Sequence, residues 1–140
     1  MARVGLLEDN STIARLAATM LHHVGHQVTV YEKPTECLAA LSLIEACNAA
    51  WPMRESTTMI TLPVELLILD LHLPEIGGLH ILKLLQEHPH TRSLPLIFCT
   101  AATEREIAHA FQLAPQARLV EKPFKMQALL SAVSNVLEVP

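Results

Sequence analysis

Leu66 to Leu69 read LLIL, and Asp70 closes the run. Four successive apolar residues bounded by turn formers fit a strand buried on both faces. A strand with one wet face would alternate apolar and polar side chains instead. A buried strand of this kind needs other elements packed on each side of its sheet. The flanking segments supply them. RVGLL (residues 3–7), HQVTVY (26–31), VELLILD (64–70), LPLIFCT (94–100) and ARLVEK (117–122) read as strands. Longer segments of helical period alternate with them.

The helical segments carry their own start and stop signals. Ile13, Leu16, Ala17, Met20, Leu21 and Val24 recur at helical spacing, with Asn10 or Ser11 as the cap and Gly25 at the end. Pro34 suits the first turn of a second helix carrying Cys37, Leu38, Leu41 and Ile44. A third helix opens at Gly77 and Gly78 and stops before Pro89. Thr103 and Glu106 have capping-box spacing at the start of a fourth. Leu129, Leu130, Val133, Val136 and Leu137 mark a fifth, after Pro123. Five strands alternating with five helices predict a doubly wound α/β sheet, largely parallel, with right-handed crossovers.

At 140 residues, 51% of them hydrophobic, the chain is expected to be one domain, 1–140, with a real core. Ten basic residues against fourteen acidic ones give a net charge of -4, which argues against a nucleic-acid surface. No run of eighteen apolar residues suggests a membrane span, and MARVGLLEDN does not read as a signal peptide. Cys37, Cys47 and Cys99 are odd in number and scattered, so a reducing cytoplasm is the expected home.

In parallel α/β sheets the working site lies outside the carboxyl ends of the strands. The residues at those ends form a short list: Glu8 and Asp9, Asp70, Thr100, and Lys122. Three carboxylates that converge repel one another, and a hard divalent cation would relieve them. Lys122 can offer a point charge to a phosphoryl oxygen and Thr100 a hydrogen bond. A carboxylate nucleophile that attacks a phosphoryl donor forms an acyl phosphate.

The acidic pair Glu8–Asp9, LILDLHLPEIGGL around Asp70, CTA with Thr100 and EKPF with Lys122 appear in this order, each at a strand end. In these residues the chain resembles a response-regulator receiver domain of bacterial two-component signalling, from Arg3 to about Leu137. The resemblance implies a flavodoxin-like fold with strand order 2-1-3-4-5. It implies that Asp70 accepts a phosphoryl group from a sensor histidine kinase or phosphotransfer protein. Mg²⁺ would be held by Asp9 and Asp70 directly, by Glu8 through water, and by the backbone carbonyl of His72. Thr100 would swing toward the new phosphoryl group and Lys122 would pair with it. The face built by the last strand and the helices flanking it would then change its partner preference. Such a domain is a regulatory phosphoacceptor rather than an enzyme. It serves a downstream output domain or protein, and a phosphorylation-dependent dimer is within its repertoire. Pro140 falls about where a receiver ends, so a stand-alone receiver and the excised front of a longer regulator or hybrid kinase both fit.

Three features depart from that pattern or extend it. Leu119 occupies the position where receivers usually carry an aromatic switch residue. APQA (residues 114–117) replaces the usual Gly-Ala before the last strand. Residues 45–63 are longer than the fold needs, with Trp51 as a candidate interface anchor. The simpler reading, a longer second helix and a surface loop, is preferred there. His72 is read as a solvent-facing loop residue in preference to a modulator of dephosphorylation. Cys99 is read as a small buried strand residue. The clustered His22, His23 and His26, and His88 with His90, are read as surface residues rather than metal ligands. A flavin module would want a phosphate cradle where LLEDNST stands, and a haloacid-type phosphatase would want an acid at His72. The remaining alternative is a receiver-fold binding module that is never phosphorylated.

Overall fold

The structure, a computed structural model, describes residues 2–41, 62–71, 77–122 and 126–138. In chain order its elements are β1 (Arg3–Leu7), α1 (Ser11–His23), β2 (Gln27–Tyr31), α2 (Pro34–Ala40), β3 (Leu66–Leu69), α3 (Gly78–Glu87), α4 (Pro89–Arg92), β4 (Leu96–Thr100), α5 (Glu104–Leu113), β5 (Arg118–Glu121) and α6 (Met126–Glu138). All four strand pairings are parallel, in the order β2-β1-β3-β4-β5. The expected topology is therefore present.

Alternation along the central strands divides the core into two layers. Leu67 and Leu69 of β3 and Leu96 and Phe98 of β4 pack with α2, α3 and α5. Leu66 and Ile68, Ile97 and Cys99 pack with Ala14, Ala17 and Leu21 of α1 and Leu129 and Val133 of α6. Successive side chains point to opposite faces, so one apolar run feeds both layers. β2 and β5 lie at the edges and are only partly buried.

The helix signals act locally as expected. Asn10 is the cap of α1, its side-chain oxygen accepting from the N–H groups of Thr12 and Ile13. At the other end Gly25 takes a φ of +99°, with its N–H on His22 O and the His26 N–H on Leu21 O. That left-handed residue costs glycine little, and it satisfies two carbonyls the helix leaves open. Pro34 sits in the first turn of α2.

The count of helices differs from the expectation: six lie among the described residues, because α4 adds one short turn. Pro89 ends α3 as expected but also starts α4, where its missing N–H costs nothing. Thr91, buried in that turn, donates to Leu85 O at 2.7 Å and so covers an open carbonyl at the end of α3. The APQA segment closes with the Ala117 N–H on Ala114 O. Ile44, Trp51 and residues 42–61 of the long connection lie outside the described residues.

At α5 the capping box is complete. Thr103 Oγ1 accepts from the Glu106 N–H, and Glu106 Oε1 accepts from the Thr103 N–H. Thr103→Ala removes one of these bonds and should lower stability by about 1 kcal/mol in urea unfolding. A change below a few tenths would mean that packing alone sets the start of α5.

Candidate functional site

The register explains how distant residues meet. Leu6 pairs with Ile68 across β1 and β3. Glu8 and Asp70 each lie two residues further on, so alternation carries both to the side of the sheet covered by α1 and α6. Lys122 stands two residues beyond Val120, which packs in that same layer. The three side chains do converge. Lys122 Nζ donates to Glu8 Oε1 at 2.6 Å and to Asp70 Oδ2 at 3.0 Å. Asp9 completes the acidic group: carboxylate oxygens of Glu8, Asp9 and Asp70 lie within 4.8 Å of one another.

Exposure separates the neighbouring acids. Glu8 is 2% exposed and Asp70 4%, whereas Asp9 faces solvent. Glu8 also accepts from the Asn10 N–H through Oε2 at 3.2 Å. Burial pushes the Glu8 carboxyl above its ordinary pKa, and the charge of Asp70 adds to this. The hydrogen bonds from Lys122 and Asn10 oppose it only in part. For Lys122, burial works against the ammonium, but the bonds to Glu8 and Asp70 outweigh it and its pKa lies above the ordinary lysine value.

A pH effect follows in the metal-free protein. With its folded pKa raised above 4.5, Glu8 adds stability below that pH, and the contribution is lost as pH rises through the folded pKa. Glu8→Gln lacks this loss. The stability of Glu8→Gln relative to wild type should therefore rise from pH 4 to pH 7, as read by urea unfolding in EDTA. A relative stability that falls over that range would contradict a burial-dominated Glu8.

Thr100 is fully buried at the end of β4 and shares the sheet side of Phe98 and Leu96. Its hydroxyl accepts from the Ala102 N–H at 3.1 Å. Thr100 thus closes the same edge of the sheet, on the side opposite the α1–α6 layer. The backbone ties the ends together: the Asp70 N–H donates to Leu7 O and the Lys122 N–H to Thr100 O. His72, the remaining predicted ligand, lies outside the described residues, as do Pro123 and Cys47.

Gly78 is a site-supporting residue that sequence reasoning took only as a helix opener. A Cβ there would stand 2.6 Å from the Asp70 carbonyl oxygen and closer still to Leu71 Cα. The start of α3 is thus pressed against the backbone that carries Asp70. The glycine pair after the strand was the available signal, but nothing local distinguishes Gly78 from Gly77, which has open space around it.

Other candidate chemistry is quiet. Burial pushes the thiols of Cys37 and Cys99 up to about 12, so neither is a ready nucleophile. Among the described residues, the one group of acids, histidines or cysteines close enough to hold a metal is Glu8, Asp9 and Asp70. No helix among them is long and apolar enough to cross a membrane.

The chain is similar to known proteins over most of its length. The family model described as response regulator receiver domain matches residues 4–134. The phosphate regulon transcriptional regulatory protein PhoB of Klebsiella pneumoniae is 26% identical over 135 residues, covering 96% of this chain and 51% of that protein. The chain spans about half the length of the first curated relatives it matches. Among solved structures, the receiver domain of a signal transduction histidine kinase from Syntrophus aciditrophicus superposes with a TM-score of 0.76. It is 24% identical and covers 98% of this chain and 90% of its own. A CheY-like receiver domain protein from Methanospirillum hungatei JF-1 also reaches 0.76, at 18% identity, covering 99% of this chain and 94% of its own. These two likenesses speak for the fold.

Proposed function

Because the chain belongs to the response regulator receiver domain family of two-component signalling, we propose that it is a phosphorylation-controlled switch with Asp70 as the acceptor. The observation that carries this is the cluster itself: a buried strand-end carboxylate held by an ammonium beside two further acids. A purely structural ion pair would not need Asp9, a third carboxylate that has no ammonium on it among the described residues.

The acidic group suits Mg²⁺. Its donors are hard oxygens from three carboxylates within reach of one ion. Asp9 and Asp70 would hold the ion directly and Glu8 through water, with the His72 carbonyl as the fourth protein group. Bound there, the cation would neutralise charge on the phosphoryl oxygens.

Asp70 would act as the nucleophile. One carboxylate oxygen bonds to phosphorus as the phosphorus–nitrogen bond of a phosphohistidine donor breaks, and the electron pair leaves with the imidazole. The product is an acyl phosphate on Asp70. Lys122, which donates to Asp70 Oδ2, would pair with the new phosphoryl oxygens. Thr100 would turn its hydroxyl from the Ala102 N–H toward them. Catalysis of this kind is mostly positioning and charge stabilisation.

The donor would be a sensor histidine kinase or phosphotransfer protein. The relatives suggest how the state is passed on, because PhoB is named as a transcriptional regulator and is about twice this chain's length. An output domain or separate protein reading the α5–β5–α6 face would fit, as would a phosphorylation-dependent dimer through that face. Leu119 and Phe111 lie in its groove, so a branched aliphatic side chain would stand where an aromatic reporter is usual. The compartment would be the cytoplasm.

Incubation of the protein with Mg²⁺ and a small acyl phosphate donor tests the reading. Intact-mass measurement should show one added phosphoryl group, stable to acid and lost in base, and none in EDTA. A protein that stays unmodified with Mg²⁺ and donor in excess is instead a receiver-fold binding module.

A further inference from the structure

We propose that a groove at the amino edge of β4 and β5 is a docking site for an acidic, leucine-bearing segment of a partner protein, held by Arg92 and Arg118. The groove, about 910 Å³, is formed by the end of α3, α4, the start of β4, the α5–β5 turn and the end of α6. It lies at the end of the sheet away from the acidic group. Arg118 opens β5 and Lys122 follows its last residue, four residues or about 13 Å further on. The APQA turn, which stood out in the sequence, supplies Pro115 and Gln116 to the exposed rim. Leu94, Leu113 and Val136 supply apolar wall. The inference does not rest on phosphorylation.

Charge selects the occupant. The chain has a net charge of -4, yet among the described residues no acid lines this groove and two arginines do. Both are exposed, and neither makes an ion pair among the described residues. Arg92 is already oriented: its Nε donates to Gln86 O at 3.1 Å, near the end of α3. Its terminal nitrogens make no further hydrogen bond among the described residues. Arg118, beside Ile97 in the sheet register, is equally free there. A guanidinium fork matches a carboxylate bidentately. Carboxylates flanking an apolar side chain would therefore pair both arginines and cover the apolar wall in one contact. The exposed rim suits a segment laid across it, whereas small-molecule sites enclose most of their ligand. A nucleic-acid strand fits poorly, because no aromatic side chain lines the groove to stack a base and the rest of the chain is acidic.

Two measurements test this. The first is fluorescence anisotropy of a labelled peptide of alternating glutamate and leucine, with wild type, Arg92→Met, Arg118→Met and Arg15→Met. Arg15 is an exposed residue of α1, so its variant makes the same change in net charge away from the groove. Arg92→Met and Arg118→Met should each bind the peptide about fivefold more weakly than wild type, with Arg15→Met unchanged. A peptide with glutamine for glutamate should lose binding to wild type. Arg118 also borders the groove beside Leu119 and Phe111, but Arg92 does not, so the loss at Arg92 fixes the location. The second measurement uses wild type alone: amide chemical shifts on adding the acidic peptide should change most at residues 93–96 and 113–118. No binding at millimolar peptide, an unweakened Arg92→Met, an equally bound glutamine peptide, or shifts confined to other surfaces overturns the inference. An oligothymidylate bound more tightly than the peptide overturns it in favour of a phosphate strand. A wild-type dimer in sedimentation that Arg92→Met abolishes overturns it in favour of a second copy of the chain.

Discussion

Asp70→Asn protein held with Mg²⁺ and a small acyl phosphate donor should gain no phosphoryl group, while wild type gains one. Asparagine has nearly the volume of aspartate, and its amide oxygen can still accept from Lys122 Nζ. The buried position, 4% exposed and next to Lys122, is therefore kept. What disappears is the anionic oxygen that forms the bond to phosphorus, since a neutral amide is a poor nucleophile. The expected loss is to background, and circular dichroism should show an unchanged fold. The substitution also leaves Glu8 and Lys122 as a pair of equal and opposite charge, so the metal-free variant should be no less stable than wild type. Phosphorylation of Asp70→Asn at the wild-type level would place the acceptor elsewhere and remove the basis for the proposed function.

Gly78→Ala should cost about 3 kcal/mol, a fall in Tm of roughly 10 °C. The added methyl would meet backbone, the Asp70 carbonyl oxygen at 2.6 Å and Leu71 Cα, and backbone cannot rotate away as a side chain can. Relief requires moving the start of α3 off the end of β3. That motion also breaks the Gly78 N–H bond to Leu71 O and shifts the segment that carries Asp70. The variant should accordingly lose phosphorylation rate along with stability. Gly77→Ala is the control. Gly77 has a φ of −62° and nothing within 4 Å of its virtual Cβ, so alanine should be accepted within about 0.5 kcal/mol. Equal effects at the two positions would show that the glycine pair serves chain flexibility rather than close approach.

Much of the fold was legible because its signals are local. The LLIL run, the Asn10 and Gly25 ends of α1, Pro34 and the Thr103–Glu106 box each depend on residues a few positions apart. The extra turn α4 was missed for a related reason. Proline reads equally as the end of one helix and the first turn of the next, and what decides is whether the following residues find partners. Thr91 found one in Leu85 O, a contact that needs α3 to have ended where it did. At the site, strand ends and parallel pairing were enough to nominate Glu8, Asp9, Asp70, Thr100 and Lys122. They were not enough to rank the neighbours Glu8 and Asp9 by burial.

The sequence by itself determined the alternation of strands and helices, the parallel sheet, and the short list of polar residues at its carboxyl edge. Periodicity, caps and turn formers act within one or two turns of chain, so they can be read before any folding is known. Only the tertiary structure decided that Lys122 bridges Glu8 and Asp70, partners 114 and 52 residues away, that Glu8 is buried while Asp9 is not, and that Gly78 must lack a side chain. Those outcomes depend on strand order and register, which bring remote backbone within a few ångströms and settle which atoms lose water.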